Sequence, residues 1–297
     1  VTSQRVSIDG VAWERLDRSL LSRLDPMVVF EPVAYEAAHI SADDVVGDRM
    51  TVFVRHDGSE EIENLKFLLD VYEEYGFVNF VSPSVFGSRR LNHKLGCLLL
   101  RGDIEGVLKT FFVQPGVGDI PFFRQVRERL AVSYGDWGAM KEIATSLPYT
   151  FAAELRVLGA LEAEPKKTRQ ALRAISRELE KWVQAYAAWL FNRMLSEAMT
   201  RLEPVDAELP MRPDTAYKTL LYFDLVSDPD TEAKRMGIHL ASAMRPTRVS
   251  PEIHRVIRKN AGTRFVFSLP KDADAHAFLS HLYRLHEGLP VPGWVRS

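Results

Sequence analysis

An α+β fold is what this sequence predicts, and three observations predict it. β-Branched and aromatic residues cluster in Thr51-Val52-Phe53-Val54-Arg55, towards one end of the chain. A second alternating run, Arg264-Phe265-Val266-Phe267-Ser268-Leu269, lies towards the other and sets Phe265, Phe267 and Leu269 on one face. Between them the apolar spacing is helical. It is longest over about 167–200, where Leu172, Ile175, Leu179, Trp182, Val183, Tyr186, Leu190 and Met194 recur every three or four residues. Strands at both ends around a helical middle are the pattern of an α+β chain with an insertion.

Taken in order, Arg5-Val6-Ser7-Ile8 alternates as a short strand, and the strand at 51–55 closes on the turn pair Asp57-Gly58. From Glu61 to Tyr75, Leu65, Leu68, Leu69 and Tyr72 keep helical spacing, with Gly76 where a left-handed cap belongs. Residues 76–90 are rich in turn formers. A short helix then covers about Leu91–Leu100 and stops at Arg101-Gly102-Asp103. Helices follow at 123–132, 137–145 and 150–161, the last two parted by Pro148, and Pro204 and Pro210 end the long helical block. After the strand at 264–269 comes a helix over 273–286.

The chain has 297 residues, of which 46% are hydrophobic and 26% charged, which fits one large globular domain or, by preference, two, and excludes disordered and fibrous classes. The longest clean apolar run, Ala185–Phe191, is far short of the roughly 20 residues of a membrane span. Charges at Arg5, Asp9, Glu14, Arg15, Asp17 and Arg18 leave no room for a secretory signal in that stretch. The single cysteine, Cys97, excludes an internal disulfide framework and a thiolate zinc site, so a reducing, cytoplasmic setting is expected. Net charge is −2, but residues 234–264 carry Lys234, Arg235, Arg245, Arg248, Arg255, Arg258, Lys259 and Arg264 against Glu252, a net +7 that leaves −9 elsewhere. Such a basic run can follow a phosphate backbone.

Most catalytic motifs are missing. His276, His281 and His286 recur every five residues, which turns each about 140° from the last on a helix, so they do not converge on a metal. His93 and Cys97 are four apart, a pattern expected of a buried cysteine beside a surface histidine. No G-x-S-x-G elbow occurs, and Cys97 sits in an apolar run that disfavours a reactive thiolate. Gly116-Val117-Gly118 lacks the Gly, Lys and Ser/Thr of a phosphate cradle.

Five short phrases, in order, resemble one family, the TruD pseudouridine synthases. Val1-Thr2-Ser3-Gln4 resembles the end of its K-D-x-x-A-V-T-x-Q box, and Gly76-Phe77-Val78-Asn79-Phe80 through Phe86-Gly87 its V-x-N-Y-F-G-x-Q-R-F-G segment. Asn92 to Asp103 is similar to N-x-x-x-G-x-x-L-L-x-G-D, Ala185 to Glu197 to A-Y-Q-S-x-L-F-N-x-x-L-S-x-R, and Phe267-Ser268-Leu269-Pro270-Lys271 to F-x-L-P-K. The resemblance implies a pseudouridine-synthase-like mixed sheet core of 1–103 and 248–297, split by an inserted, mostly helical domain of 104–247. It implies isomerisation of a uridine in RNA, first of all tRNA, with no cofactor and no metal, by an aspartate nucleophile that lets the base detach, rotate and re-attach through carbon. Such a site needs a flipped base, a platform for it, and cations for the flanking phosphates. The implied substrate-binding residues are Asn79, Phe80, Phe86, Gly87 and Asn192. The implied RNA-binding residues are Arg245, Arg248, Arg255, Arg258 and Lys259, with RNA in the cleft between core and insertion.

The sequence also departs from the family. Its pocket-lining Phe two residues after the Asn falls on Val81, its Gln-Arg on Ser84-Val85, and its G-S-Y/F-A-T on Asp272-Ala273-Asp274-Ala275-His276. The nucleophilic aspartate would stand about four residues before Val1. Either the chain is part of a longer synthase, or it is a non-catalytic RNA-binding homologue; in both cases the 297-residue chain alone is expected to form no pseudouridine. A helical interaction protein without an RNA role is the remaining reading. Asp274 is expected as an aspartate at a helix N-terminus, and Leu190 and Phe191 as core.

Overall fold

The two alternating runs pair with each other, antiparallel, from Gly47 opposite Pro270 to Val54 opposite Thr263. The structure is a computed structural model that describes residues 44, 46–55, 59–117, 119–200, 208–211, 228–240, 244–259 and 262–286. The expected strand at Arg5–Ile8, the first family phrase, the Asp57-Gly58 turn and Pro204 lie outside the described residues. In chain order the elements are β1 (Gly47–Val54), α1 (Ser59–Tyr75), β2 (Phe77–Val78), a 3-10 turn (Pro83–Phe86), α2 (Asn92–Leu100), α3 (Ile104–Phe112) and α4 (Pro121–Val132). Then come α5 (Trp137–Thr145), α6 (Ala152–Ala163), α7 (Thr168–Leu172), a 3-10 turn (Arg173–Ile175) and α8 (Ser176–Thr200). The remainder are β3 (Glu208–Pro210), α9 (Pro229–Met236), β4 (Met244–Pro246), β5 (Arg248–Val249), β6 (Glu252–Lys259), β7 (Gly262–Pro270) and α10 (Ala275–His286). The fold is α+β, as the patterning predicts.

Two compact units divide the chain. One comprises the residues up to Tyr75 with Ser250–Lys271, the other Gly76–Val249 with the residues from Asp272. In the first, the sheet order is β1-β7-β6. β7 buries Phe265, Phe267 and Leu269 to 1% exposure or less, the face its alternation marks. β6 is a strand that the spacing does not announce. It is an edge strand studded with charge, and a bulge between Ile253 and Arg255 breaks its alternation.

The second unit is mostly helical. α3 was not expected: Asp103, which ends the α2 turn, is also the N-cap of α3, its carboxylate accepting from Gly106 N at 2.9 Å. Its Val107, Leu108, Phe111 and Phe112 are all buried, the stripe a helix needs. The block from 167 to 200 is not one helix, since a 3-10 turn separates α7 from α8. The apolar stripe nonetheless runs on unbroken through Leu172, Ile175 and Leu179, each 0% exposed.

α2 lies against α8 at Gly96, and here glycine is required by a close approach. A methyl group on Gly96 would fall 2.1 Å from the carbonyl oxygen of Trp182. Backbone cannot yield as a side-chain tip does. Gly96→Ala is therefore expected to push the helices apart and to destabilise the unit by about 1–3 kcal/mol. Urea denaturation checks this; an unchanged midpoint would contradict the packing.

Candidate functional site

Asn79 follows β2 directly and is fully buried, 0% exposed. Its backbone N–H extends the β2–β5 pairing by donating to Thr247 O at 2.9 Å. Its side-chain amide is used completely. Nδ2 donates to Pro246 O at 3.0 Å and to Asp272 O at 2.8 Å. Oδ1 accepts from Asp274 N and from Arg245 Nη2, both at 2.9 Å. One side chain thus ties residues 245–246 to residues 272–274, and an amide with two donors and two acceptor sites does so with nothing left over.

Arg245 adds a bond from Nε to Asn79 O at 3.3 Å and lies 5.7 Å from the Phe191 ring centre, within cation–π range. Burial holds its pKa below the ordinary arginine value, while the carboxylates of Asp274 and Asp272 oppose that shift. Asp274 accepts from Ala277 N at 2.9 Å through Oδ1, capping α10, and from Ser82 N at 2.9 Å through Oδ2. It is the helix-terminal aspartate expected from sequence, with a second duty as anchor of the 3-10 turn.

Asn192, on α8, faces the same segment. It accepts from Val81 N and donates to Val81 O, both at 2.8 Å, pairing with the backbone as a neighbouring strand would. Phe80 is half-buried against the small core of Val78, Val81, Ala188, Phe191 and Leu195. Leu190 and Phe191 are core, as expected. Phe86 meets the His93 ring edge-on at 5.4 Å, and His93 stacks on Trp189 at 5.9 Å. His93 is therefore not the surface neighbour of Cys97 that spacing suggests; both are half-buried. The histidine is held between two rings, and burial and Lys94 lower its pKa. Gly87 takes φ +76°, and a Cβ there would meet the Asn92 side chain at 2.8 Å.

The basic run is shared out rather than gathered. Lys234, Arg235, Arg245 and Arg248 belong to one unit, Arg255, Arg258, Lys259 and Arg264 to the other. Arg235 pairs with Glu232, and Arg245 is committed to Asn79. Arg248 and Arg255 are exposed, each without an ion-pair partner among the described residues; the side chains of Arg258 and Lys259 lie outside them. Sequence reasoning missed the Arg245–Asn79 and Asn192–Val81 pairs. Among the described residues no three His, Cys, Asp or Glu side chains gather as a metal site would require, and no helix is long and apolar enough to cross a membrane.

His281 sits beneath β2, 4% exposed, its ring 5.6 Å from that of Phe77. Burial pushes its pKa down to about 4, against a hydrogen bond to the Val78 backbone that acts the other way. The unfolded chain takes up this proton near pH 6.5 and the folded one only near 4, so its contribution to stability is lost as pH falls through that interval. At full effect the loss is about 3 kcal/mol. Denaturation midpoints at pH 7, 5.5 and 4.5 are expected to fall more steeply in the native chain than in His281→Gln; equal slopes would contradict a buried neutral ring.

The comparisons with known proteins agree on one family. A family model described as tRNA pseudouridine synthase D (TruD) matches residues 1–219. The probable tRNA pseudouridine synthase D of Methanopyrus kandleri is 31% identical over 208 residues, 69% of this chain and 50% of its own. The tRNA pseudouridine synthase D of Geotalea daltonii is 25% identical over 249 residues, 83% of this chain and 59% of its own. The chain spans about half the length of the curated relatives it matches. A TruD crystal structure from Methanosarcina mazei is alike in fold, with a TM-score of 0.59 at 16% identity over 83% of this chain and 70% of that one.

Proposed function

Because the chain belongs to the TruD family of tRNA pseudouridine synthases, we propose that it serves the isomerisation of a uridine in tRNA to pseudouridine, in the cytoplasm and without metal or cofactor. The observation that carries this reading is convergence. Asn79 and Val81 from the second phrase, Asn192 from the fourth, and Asp272 and Asp274 immediately after the fifth are far apart in sequence and joined by hydrogen bonds of 2.8–2.9 Å. Residues 1–103 and 248–297 act as the split catalytic-type core and 104–247 as the helical insertion.

The roles divide by geometry. Asn79 and Asn192 are positioning residues: the first fixes the Arg245 and Asp274 segments, the second fixes the backbone at Val81. Phe80, Phe86 and Gly87 shape the segment between them. Arg248, Arg255, Arg258 and Lys259 contact phosphates, and Arg245 contributes charge from a fixed position. The family aromatics replaced by Val81 and Asp274 are supplied in kind by neither, so base stacking on this scaffold must draw on another ring. The step itself needs a carboxylate that attacks the ribose as the base leaves, then releases it when carbon bonds.

The test is to incubate tRNA transcripts with the protein made from its complete reading frame and to map pseudouridine. Conversion of a defined uridine in the presence of a metal chelator is expected. Transcripts that remain unconverted at saturating protein would sink the proposal.

A further inference from the structure

α10 buries Ala277, Phe278, His281 and Leu282. Residues three and four apart share a helix face, so His276, Leu279, Ser280, Tyr283 and Arg284 form its other stripe. Facing the 3-10 turn, this stripe encloses an open depression of about 560 Å³, within the range of about 300–1,000 Å³ common for ligand sites. Among the described residues its lining offers one aromatic ring, an imidazole, a guanidinium and several hydroxyls, and no carboxylate. Tyr283 is 61% exposed and meets no other ring among the described residues. Ser82, which lines the depression, donates its N–H to Asp274 and so ties this wall to the Asn79 network.

We propose that the depression receives one unstacked RNA nucleotide next to the target uridine. Its base stacks on Tyr283 beside Leu279, and its phosphate or ribose hydroxyl is held by Arg284, His276 and Ser84. An exposed ring flanked by a guanidinium and hydroxyls is what a single-stranded nucleotide uses. This assignment rests on the RNA-isomerase reading. It also supplies a platform in a region where Val81 and Asp274 replace the aromatics of the family.

The experiment compares wild type, Tyr283→Ala, Tyr283→Phe and Arg284→Met in the protein from the complete reading frame, measuring tRNA Kd, KM and kcat over a salt series. Tyr283→Ala is expected to raise Kd and KM roughly tenfold, the effect of one lost stacking partner, with kcat within twofold. Tyr283→Phe restores both, and Arg284→Met lowers the salt slope by about 0.7, one single-strand phosphate. Should wild type convert tRNA while Tyr283→Ala keeps its Kd and KM, the nucleotide site is overturned and the isomerase reading stands. Binding that weakens in Tyr283→Ala without conversion in wild type supports the site and removes the isomerase reading. A wild type that does not bind tRNA overturns both.

Discussion

Asn79→Ala is expected to destabilise the unit that contains it by about 4 kcal/mol. The substitution removes two donors and two acceptor sites at a position with no solvent exposure. Pro246 O, Asp272 O, Asp274 N and one edge of the Arg245 guanidinium lose their partner together. Each buried polar group left unsatisfied costs about 1–3 kcal/mol, and relaxation with partial hydration keeps the total below the sum. Urea unfolding followed by circular dichroism measures it. A loss under 1 kcal/mol would show that the Asn79 bonds are dispensable to the fold.

Arg127→Met comes next, at about 3–5 kcal/mol. Arg127 and Glu154 form a 2.8 Å ion pair in which each side chain is only 7% exposed. Arg127 Nη1 also donates to Phe111 O at 2.9 Å and Phe112 O at 2.8 Å, binding the carbonyl end of α3, where a cation is favoured. Its guanidinium lies 4.6 Å from the Phe151 ring centre. Removing the cation strands a buried carboxylate, which costs more than the pair itself contributes. Arg89 does not substitute, because it is committed to Thr110 O and Gln114 O. The double variant Arg127→Met with Glu154→Leu is expected to recover much of the loss, as a well-packed apolar pair does for a buried ion pair. If the single and double variants unfold at the same urea concentration, the stranded charge is not the cause.

How much of this was legible follows from range. β1, β7, α1 and the helical stripe through α8 were legible because their signal is periodic within a dozen residues. Gly76 was legible as a left-handed terminus, and φ +72° bears it out. β6 was not, since charges and a bulge erase alternation on an edge. α3 was hidden because Asp103 serves as both stop and start. In the site, Asp274 was legible as a cap. The partners of Asn79 and Asn192 were not, because Arg245 lies 166 residues from the first and Val81 lies 111 from the second. Local patterning is silent over such distances. His93 was misjudged for the same reason: spacing shows Cys97, whereas Trp189 arrives from another helix.

On the proposed reading, the Asn79 network shapes the place where uridine is isomerised. Asn79→Asp keeps the shape but turns a carboxylate oxygen toward Pro246 O and Asp272 O, loosening the two segments that the amide joins. The decisive measurement is kcat and tRNA KM for pseudouridine formation by this variant in the complete protein, below its melting temperature. The expected kcat is at least about 100-fold lower, the scale of a 1 Å misplacement, with KM little changed because phosphate contacts remain. A folded Asn79→Asp protein that turns over tRNA at the wild-type rate would contradict it.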